Sequence, residues 1–540
     1  MLLFVRNLCY TKPVVHHSDF CDNSGNMQRK LYLETFGCQM NVLDSELVLG
    51  QLRAQGYSST EDRDTADVIL FNTCSVREHA EQKVWSRLGE LRHRKAADPH
   101  VVIGVIGCMA ERDGENLFKK YPHVDLLCGP GELDKLTSLV HNAAVTNASA
   151  VSNTHIQTRR DRQVALMGAA VRRSSTLLAA EDNLEMLDLS RAISPSDEMA
   201  QAYVRITRGC NKFCTYCVVP YTRGPEVHRP PMNIIEEVKR LADNGTKEVT
   251  LLGQTVNHYH YDHGDGRSTS FAELLYMIHE AVVNLPRLRF VTSFPRDFTD
   301  EALMAMRDCK RICRYLHVPA QSGSDRILKM MNRGYTCQQY DDFIARARGY
   351  MPDICLASDF IIGFPTETDD DFVATAELLK RCRFKNSFIF KYSPRPGTTA
   401  IERFADDVPD EVKRKRNTEL LAVQQEVSIA NNLEMVGKTV EVMVEGESKL
   451  VSRKAAAIST VAASHGLIQI GIGRKLHIDE DHACSTAIAA SVETIVKTQM
   501  VGRTRGDQVV VFDGDMSLKG RLMNVKVTAA QSMTLFAEVV

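Results

Sequence analysis

The stretch Arg208-Gly209-Cys210-Asn211-Lys212-Phe213-Cys214-Thr215-Tyr216-Cys217 decides the fold of the central part of the chain. It carries three cysteines at spacings of four and three residues, directly after a strand-like run at residues 202–207. Three thiolates can hold three corners of a four-iron cluster and leave the fourth iron open to an outside ligand. A zinc site usually takes four protein ligands, and a disulfide set needs an even number of cysteines. The spacing therefore favours an iron–sulfur cluster over zinc or disulfides.

Length and composition are those of an ordinary folded protein. The chain has 540 residues, of which 25% are charged and 44% are hydrophobic, and this length suggests roughly three or four domains. The formal net charge is −2, so a nucleic acid would have to bind at local basic patches. Fifteen cysteines without a secretory signal favour metal ligation over disulfides. No run approaches the roughly 18 apolar residues of a membrane span, so the sequence predicts a soluble protein with no membrane partner.

Residues 1–29 stand apart from the predicted fold. The segment Met1-Leu2-Leu3-Phe4-Val5-Arg6 is apolar with one cation, and no acidic residue stands before Asp19. This pattern is compatible with a mitochondrial presequence. The alternative is a disordered tail, or a working chain that begins near Met27. Mitochondrial localisation is thus one hypothesis, and cytoplasmic localisation is the other.

Strand and helix patterns alternate through residues 30–145, which we interpret as the first domain. Such βα units predict an open parallel sheet, in which the carboxyl ends of all strands share one rim. Cys38, Cys74 and Cys108 each follow one of the first three predicted strands. These three thiols should therefore converge in space as a second three-cysteine cluster site. Cys128 follows the fourth strand and is interpreted as a packed strand-end residue.

The next two segments differ in character. Residues 146–199 are rich in Ala, Ser and Thr, and we interpret them as a solvated linker. The alternative is a contact between RNA phosphates and its basic runs, Arg159-Arg160-Asp161-Arg162 and Arg172-Arg173. Residues 200–432 return to βα alternation with six predicted strands, which indicates a partial (β/α)6 barrel. Its polar and glycine-rich segments lie at strand carboxyl ends, the catalytic face of such barrels. The remaining cysteines of this domain are interpreted as packing residues: Cys309, Cys313, Cys337, Cys355 and Cys382.

From residue 433 to residue 540 the pattern changes to short strands with glycine turns, which indicates a small β-barrel. Several cations give this domain a basic surface that could follow a phosphate backbone, and an ordinary solvated surface is the alternative. These cations are Lys438, Lys449, Arg453, Lys454, Arg503 and Arg505. Residues 455–501 read as an insertion that interrupts the barrel, which leaves open whether the barrel closes.

These motifs together resemble the radical S-adenosylmethionine (SAM) methylthiotransferases, and most closely the MiaB-like tRNA branch in its eukaryotic form. The resemblance covers about residues 30–145, 200–454 and 502–540, and the C-terminal barrel is similar to the TRAM domain of that family. It rests on Gly37-Cys38-Gln39-Met40-Asn41, Asn72-Thr73-Cys74-Ser75-Val76-Arg77-Glu78, Gly107-Cys108-Met109-Ala110-Glu111-Arg112, the cluster loop with Val218-Val219-Pro220-Tyr221-Thr222-Arg223-Gly224-Pro225-Glu226, His317-Val318-Pro319-Ala320-Gln321-Ser322-Gly323-Ser324 and Tyr392-Ser393-Pro394-Arg395-Pro396-Gly397-Thr398.

The resemblance implies an enzyme that converts N6-isopentenyladenosine, next to the anticodon of tRNA, into its 2-methylthio derivative. It implies SAM and two [4Fe-4S] clusters as cofactors, with an electron donor and a sulfur source as further partners. The radical SAM cluster would be held by Cys210, Cys214 and Cys217. The auxiliary cluster would be held by Cys38, Cys74 and Cys108. Candidates to bind SAM or the base are Gln254, Gln321 and Ser322, for which capping and turn formation are the alternative.

Three other functions remain as alternatives. The first is methylthiolation of threonylcarbamoyladenosine or of a ribosomal protein, although Val218 to Glu226 with Arg229 favours the isopentenyladenosine branch. The second is a non-catalytic iron–sulfur protein that regulates or binds RNA. The third is a zinc-binding structural protein.

Two departures from the family pattern concern the pocket: Thr255 stands where the family usually has Asn, and Ser293-Phe294-Pro295 differs slightly from the usual form.

Overall fold

The computed structural model describes residues 29–75, 78–152, 162–167, 184–191, 200–448 and 498–540. Within them the chain forms an N-terminal parallel sheet, a central open barrel and a small closed C-terminal barrel. No helix among these residues combines the length and the apolar character that crossing a membrane requires. The segment assigned to a presequence or tail lies almost entirely outside the described residues, so that hypothesis stays a prediction.

The N-terminal unit is a six-stranded sheet in which every pairing is parallel, as predicted. Its strands are Lys30–Phe36 (β1), Ser58–Ser59 (β2), Val68–Thr73 (β3), Val102–Gly107 (β4), Leu126–Cys128 (β5) and Gln163–Ala165 (β6). The strand order is β2-β1-β3-β4-β5-β6. β3 and β4 are buried along their whole length, which explains their nearly continuous apolar sequences.

Helices cover both faces of this sheet, with one apolar cluster on each side. They are Gln39–Ala54 (α1), Glu78–Ala97 (α2), Cys108–Asp113 (α3), Asn116–Lys120 (α4) and Leu136–Ser152 (α5). The sequence predicts one helix over residues 109–121, whereas the structure has two. The break falls at Gly114, whose φ of +52° lies in the left-handed region that ends a helix.

The prediction that residues 146–199 form a solvated linker is wrong for three stretches. α5 extends to Ser152, and β6 adds a sixth strand to the sheet beside β5. A short helix at residues 184–189 (α6) buries Leu184 and Leu187 against the N-terminal core. The reason is that these stretches carry apolar side chains for which the sheet and the barrel provide partners. Of the basic runs at residues 159–162 and 172–173, only Arg162 is described, and its guanidinium stacks over the ring of Phe118 at 4.7 Å.

The central unit is the predicted partial (β/α)6 barrel. Its six barrel strands are Gln201–Arg205 (β7), Glu248–Leu252 (β10), Arg287–Phe290 (β13), Tyr315–His317 (β14), Cys355–Ile362 (β15) and Asn386–Lys391 (β16), and shorter strands lie at Thr207–Arg208 (β8), Val227–His228 (β9), His260–Asp262 (β11) and Ser268–Ser270 (β12). β7, β10 and β13 form one parallel sheet, and β14, β15 and β16 form another. The amide of Cys313 donates to the carbonyl of Leu288 at 2.8 Å and joins the two sheets.

The helices of the central unit follow their strands and pack outside them around one large apolar core. They are Val219–Thr222 (α7), Pro231–Asp243 (α8), Phe271–Ala281 (α9), Asp300–Asp308 (α10), Asp325–Met330 (α11), Cys337–Tyr350 (α12), Asp369–Cys382 (α13), Thr399–Arg403 (α14) and Asp410–Leu433 (α15). Ser324 caps α11, because its Oγ accepts the amide of Ile327 at 3.4 Å.

The C-terminal barrel closes despite the segment that interrupts it in sequence. Its strands are Thr439–Glu447 (β17), Thr498–Thr504 (β18), Val509–Gly514 (β19), Leu522–Ala530 (β20) and Thr534–Val539 (β21). They form a closed ring in the order β17-β18-β19-β21-β20. The predicted insertion boundary of 455–501 is wrong at its end, because residues 498–501 belong to β18 and Met500 is buried in the barrel core.

The pairing of β17 with β18 predicts that the intervening residues 449–497 are dispensable for folding. Ser448 and Gln499 already meet, because the amide of Ser448 donates to the carbonyl of Gln499 at 2.8 Å. Replacing residues 449–497 with a short Gly/Asn turn shortens the loop about tenfold and lowers its closure cost by about 2 kcal/mol. The thermal midpoint of the full chain, measured by calorimetry, should therefore not fall.

A matched control removes residues 446–501 instead, and with them the paired residues Glu447 and Met500. That variant should lose the barrel transition. If the shorter replacement loses it as well, residues 449–497 are needed for folding and the prediction is wrong.

Candidate functional site

The three-cysteine loop lies at the carboxyl end of β7, between β8 and α7. Its first turn depends on Gly209, whose φ is +64° and where a Cβ would lie 1.9 Å from the carbonyl oxygen of Pro225. Only glycine fits a left-handed position with backbone at that distance. The amide of Cys210 then donates to the carbonyl of Gly224 at 3.2 Å and holds the loop against the segment that follows it.

All three cysteines of this loop are free and half-buried, and each sulfur has a polar neighbour. The Sγ of Cys210 is 3.8 Å from the hydroxyl of Thr255, one of the residues that departs from the family pattern. The amide of Val219 donates to the Sγ of Cys217 at 3.5 Å. Burial raises the pKa of Cys217, and the neighbouring Cys214 raises it further. Such a site favours a charge-sharing metal cluster over three separate thiolates.

Arg333 is a member of this site that the sequence analysis missed. Its side chain is buried, and Nη1 lies 3.4 Å from the Sγ of Cys214 and 3.4 Å from the hydroxyl of Tyr216. The guanidinium also stacks over the ring of Phe294 at 4.5 Å. A buried cation thus lies directly beside one sulfur of the cluster loop. No spacing or motif around residue 333 predicts this contact, because the contact joins two segments that lie more than one hundred residues apart in sequence.

The N-terminal cysteines converge as predicted. Cys38 follows β1, Cys74 follows β3 and Cys108 opens α3 directly after β4, and these three strands are neighbours in the sheet. Gly107 precedes Cys108 with a φ of +88°, and a Cβ there would lie 2.3 Å from the side-chain oxygen of Asn72. The backbone therefore reaches the sheet rim at a distance that only glycine allows.

Cys38 interacts with both of the other cysteines of this group. The pKa of Cys38 is lowered to about 6, first by a hydrogen bond with Cys74 and further by the cation of Arg223, while burial acts in the opposite direction. Burial raises the pKa of Cys108, whose nearest charged neighbours are Arg223 and Cys38. Three thiols at a water-poor sheet edge fit a three-cysteine iron–sulfur cluster, since they leave one coordination position free. Cys128 does not join them, because its Sγ donates to the carbonyl of Glu132 at 3.2 Å.

Arg223 links the segment after the cluster loop to the N-terminal cysteines. It lies six residues after Cys217 in sequence, yet its buried guanidinium neighbours Cys108 and donates to Asp44 of α1 at 2.8 Å. Asp44 is fully buried and also accepts a bond from Arg205 of β7 at 2.8 Å. The contact joins the rim of the N-terminal sheet to the cluster loop of the barrel. The sequence places Arg223 in a family motif but does not reveal this role.

A wider buried charge network surrounds this contact. Asp188 of α6 accepts a bond from Arg205 at 2.6 Å and contacts Arg208. Burial by itself raises the pKa of Asp188. The guanidinium groups of Arg205 and Arg208 outweigh this effect and hold that pKa below its usual range. Glu185, one turn earlier, accepts two bonds from the Nε and Nη2 of Arg229 at 2.8 Å. The segment predicted as a linker thus supplies the counter-charges of the domain interface.

The three candidate cofactor-binding residues differ in their surroundings. Ser322 is buried and accepts the amide of Ser324 at 3.2 Å, which supports the turn-forming alternative. Gln321 is buried with a φ of +71°, and its Oε1 has no hydrogen-bond partner among the described residues. A buried amide oxygen without a partner is costly, so Gln321 is the stronger candidate for a ligand contact. Gln254 is half-buried at the carboxyl end of β10.

A cavity of about 1100 Å³ separates the central barrel from the C-terminal barrel. Its lining includes the aromatic side chains of Tyr203, Tyr315 and Phe388. Gln39, which follows Cys38, lines it as well, so the cavity reaches the rim of the N-terminal sheet. The ring of Phe388 is 47% exposed and stacks on that of Phe390 with an interplanar angle of 15°. Flat exposed rings beside a deep cavity suit a splayed nucleobase.

The basic surface predicted for the C-terminal barrel is wrong for its two central members. Arg503 bonds to Glu445 at 2.8 Å and to Asp507 at 3.1 Å, and Arg505 donates to the carbonyl of Ile312 at 3.0 Å. Arg503 is thus paired with acidic groups of its own barrel, whereas Arg505 is used where the barrel docks against the amino ends of the central strands. Lys449, Arg453 and Lys454 lie outside the described residues. Exposed cations of the described barrel are Lys438, Lys519, Arg521 and Lys526.

Three family models match successive parts of the chain. Residues 30–129 match an "Uncharacterized protein family UPF0004", residues 204–379 match the "Radical SAM superfamily" and residues 493–540 match the "TRAM domain". The last match includes β18 to β21 of the closed barrel. The three models therefore fall on the three units of the fold.

Bacterial proteins named "tRNA-2-methylthio-N(6)-dimethylallyladenosine synthase" are similar to this chain over nearly its whole length. The one from Rhodopirellula baltica is 41% identical and covers 95% of this chain and 96% of its own. The one from Moorella thermoacetica is 39% identical, and the match covers 94% of this chain and 97% of the relative. Among solved structures, the radical SAM methyltransferase TsrM from Kitasatospora setae is 15% identical over 69% of this chain and 75% of its own, with a TM-score of 0.47.

The buried position of Asp44 predicts that Arg223→Met destabilises the protein by about 3 kcal/mol, because it leaves a buried carboxylate with one of its two cations. Arg267→Met is the matched control, since its pair with Asp265 is exposed to solvent and its loss should leave the thermal midpoint nearly unchanged. Thermal unfolding of the two purified variants measures the difference. Equal midpoints for both variants would contradict the interface role of Arg223.

Proposed function

The chain belongs to the family of tRNA-2-methylthio-N(6)-dimethylallyladenosine synthases, and we propose that it adds a methylthio group to N6-isopentenyladenosine next to the tRNA anticodon. The single observation that carries this proposal is that Arg223, six residues after the cluster loop in sequence, places its guanidinium beside Cys38 and Cys108 of the second three-cysteine group. The radical SAM match covers the first group, at Cys210, Cys214 and Cys217, and leaves the second group outside it. A second three-cysteine group is expected if the enzyme also has to deliver a sulfur-containing group to the same substrate.

The cofactors follow from the donor sets. Membership of the radical SAM superfamily implies one [4Fe-4S] cluster with SAM, and we assign the cluster to Cys210, Cys214 and Cys217. We assign a second [4Fe-4S] cluster to Cys38, Cys74 and Cys108. When bound, these groups supply the one-electron chemistry, the methyl group and the sulfur that the reaction requires. An electron donor and a sulfur source are therefore further proposed partners.

The residues around the clusters hold charge and exclude water. Arg333 places its cation 3.4 Å from Cys214, and Arg223 places one beside Cys108. Both cations are buried, so they offset the negative charge of thiolate-bound iron without admitting solvent. Gln321 offers an unpartnered amide oxygen at the carboxyl end of the barrel strands, where SAM or the base would bind. We propose Gln254 as a second contact and Ser322 as a support of the turn.

The tRNA would be held by the C-terminal barrel and the neighbouring cavity. The TRAM match and the exposed cations Lys438, Lys519, Arg521 and Lys526 support contact with phosphates. The exposed ring of Phe388 supports stacking of a base splayed out of the anticodon loop. Because the cavity extends from this barrel to Gln39, it offers a path to the N-terminal cysteines.

The substrate is the point on which alternatives remain. Threonylcarbamoyladenosine, a ribosomal protein and a non-catalytic RNA-binding role fit the same cluster cysteines. The relatives reported above are all named for dimethylallyladenosine, which supports the first assignment. They are bacterial, so the eukaryotic branch and a mitochondrial location remain proposals that rest on the sequence alone.

Single cysteine changes separate the two clusters. Cys214→Ala and Cys74→Ala should each lower anaerobically reconstituted iron from about eight to about four per chain, because one cluster is lost in each. Cys214→Ala should abolish SAM cleavage, whereas Cys74→Ala should retain it without forming thiolated tRNA. The control is Cys309→Ala, a buried cysteine outside both groups, which should keep about eight irons. Full product formation by Cys74→Ala, or zinc in place of iron in the wild type, would disprove the two-cluster assignment.

Nucleoside mass spectrometry of tRNA from cells lacking the protein tests substrate and compartment together. We expect 2-methylthio-N6-isopentenyladenosine to disappear and its unthiolated precursor to accumulate. Organellar and cytosolic tRNA are analysed separately, and loss confined to organellar tRNA supports the mitochondrial location. Re-expression of the wild type and of Cys74→Ala provides the control. An unchanged level in both tRNA pools would exclude the proposed substrate.

A further inference from the structure

Three side chains with metal-binding atoms meet beside the cluster loop, apart from the six cluster cysteines. Glu226 directly precedes β9, and His228 is the last residue of that strand. His258 ends the short turn that follows β10. One ligand atom from each of the three lies within 4.8 Å of the others. Zinc ligands at about 2.1 Å in a tetrahedral site are about 3.4 Å apart, so small side-chain rotations suffice to bring them to a common ion.

A hydrogen bond between His258 and Glu226 explains only part of this group. The Nδ1 of His258 and the Oε2 of Glu226 are 2.7 Å apart. The other oxygen of Glu226, Oε1, is buried without a hydrogen-bond partner among the described residues, and so is the Nδ1 of His228. The Glu226 side chain is only 2% exposed, so water does not readily replace the missing partner. Two unpartnered buried acceptor atoms in one cluster indicate a missing ligand.

The chemistry of the donors selects the class of ligand. Two imidazoles and one carboxylate form a set that binds first-row divalent metals, and zinc in particular. His258 is 44% exposed, which leaves a route for the ion to enter and a position for water as fourth ligand.

We propose that Glu226, His228 and His258 form a zinc site that is separate from both cysteine groups. The site bridges two segments that each contact the start of the cluster loop. The amide of Glu226 donates to the side chain of Asn211 at 3.1 Å, and Thr255, three residues before His258, contacts Cys210. A bound ion therefore ties these two segments together and holds the Cys210 end of the loop in place.

The test uses the full chain with both clusters reconstituted anaerobically. The protein is dialysed against micromolar Zn²⁺, and zinc, iron and sulfide are then measured by mass spectrometry and colorimetry. The wild type should retain one zinc per chain in addition to its iron. His258→Gln and His228→Gln should bind zinc at least tenfold more weakly with unchanged iron and sulfide. His258 is partly exposed, so its replacement should fold even if that of His228 does not.

His141→Gln is the matched control, because His141 is an exposed histidine of α5 in the N-terminal unit, and this variant should retain its zinc. Thermal unfolding provides a second measurement, in which zinc should raise the midpoint of the wild type and of His141→Gln but not that of His258→Gln. Absence of stoichiometric zinc from the wild type would overturn the proposal. Zinc retained by His258→Gln would also overturn it, as would zinc gained only as iron is lost, since both place the ion on the cluster cysteines.

Discussion

The structure depends on the burial of Asp44 between two guanidinium groups of another domain. A carboxylate removed from water costs several kcal/mol unless cations and hydrogen bonds surround it. Here the cations of Arg205 and Arg223 come from the central barrel, and Asp188 of α6 balances them from the other side. Neither the N-terminal sheet nor the barrel can satisfy these charges alone. The interface is therefore fixed in one arrangement, and separation of the two units would leave uncompensated charges on both.

That arrangement decides where chemistry can occur. The N-terminal cysteines lie at the rim of a sheet, and the second group lies on a loop of the barrel. The distance between the two groups therefore depends on how the sheet docks on the barrel. Arg223 contributes to this docking, since its guanidinium contacts Asp44 and lies beside Cys108 while its backbone belongs to the segment after Cys217. One side chain thus couples the position of both sites. The same residue makes the electrostatics of the N-terminal group sensitive to docking of the barrel.

The sequence is sufficient for the sheet, the open barrel and the position of Cys38, Cys74 and Cys108 at neighbouring strand ends, because each rests on local periodicity and on the common rim of parallel strands. It is insufficient where the partner of a residue is remote. Asp188 and Glu185 look like ordinary polar residues of a linker, and only the distant Arg205 and Arg229 make them interface residues. The charge of Arg503 suggests a contact with RNA, whereas its guanidinium is hydrogen-bonded to Glu445 and Asp507. Charge alone does not tell whether a cation faces solvent or another domain.

The docking of the C-terminal barrel also limits how RNA can bind. Arg287 of β13 bonds to Glu441 of β17 at 2.9 Å and to the backbone carbonyl of Arg503 at 3.0 Å, so the barrel is attached through its own acidic and backbone groups. Arginines used in this attachment cannot also neutralise phosphates without weakening it. The phosphate contacts that we propose would therefore use other cations of this barrel, such as the exposed Lys519 and Arg521. Because Lys519 also lines the cavity that extends to Gln39, an RNA bound there as proposed would lie at the mouth of that cavity.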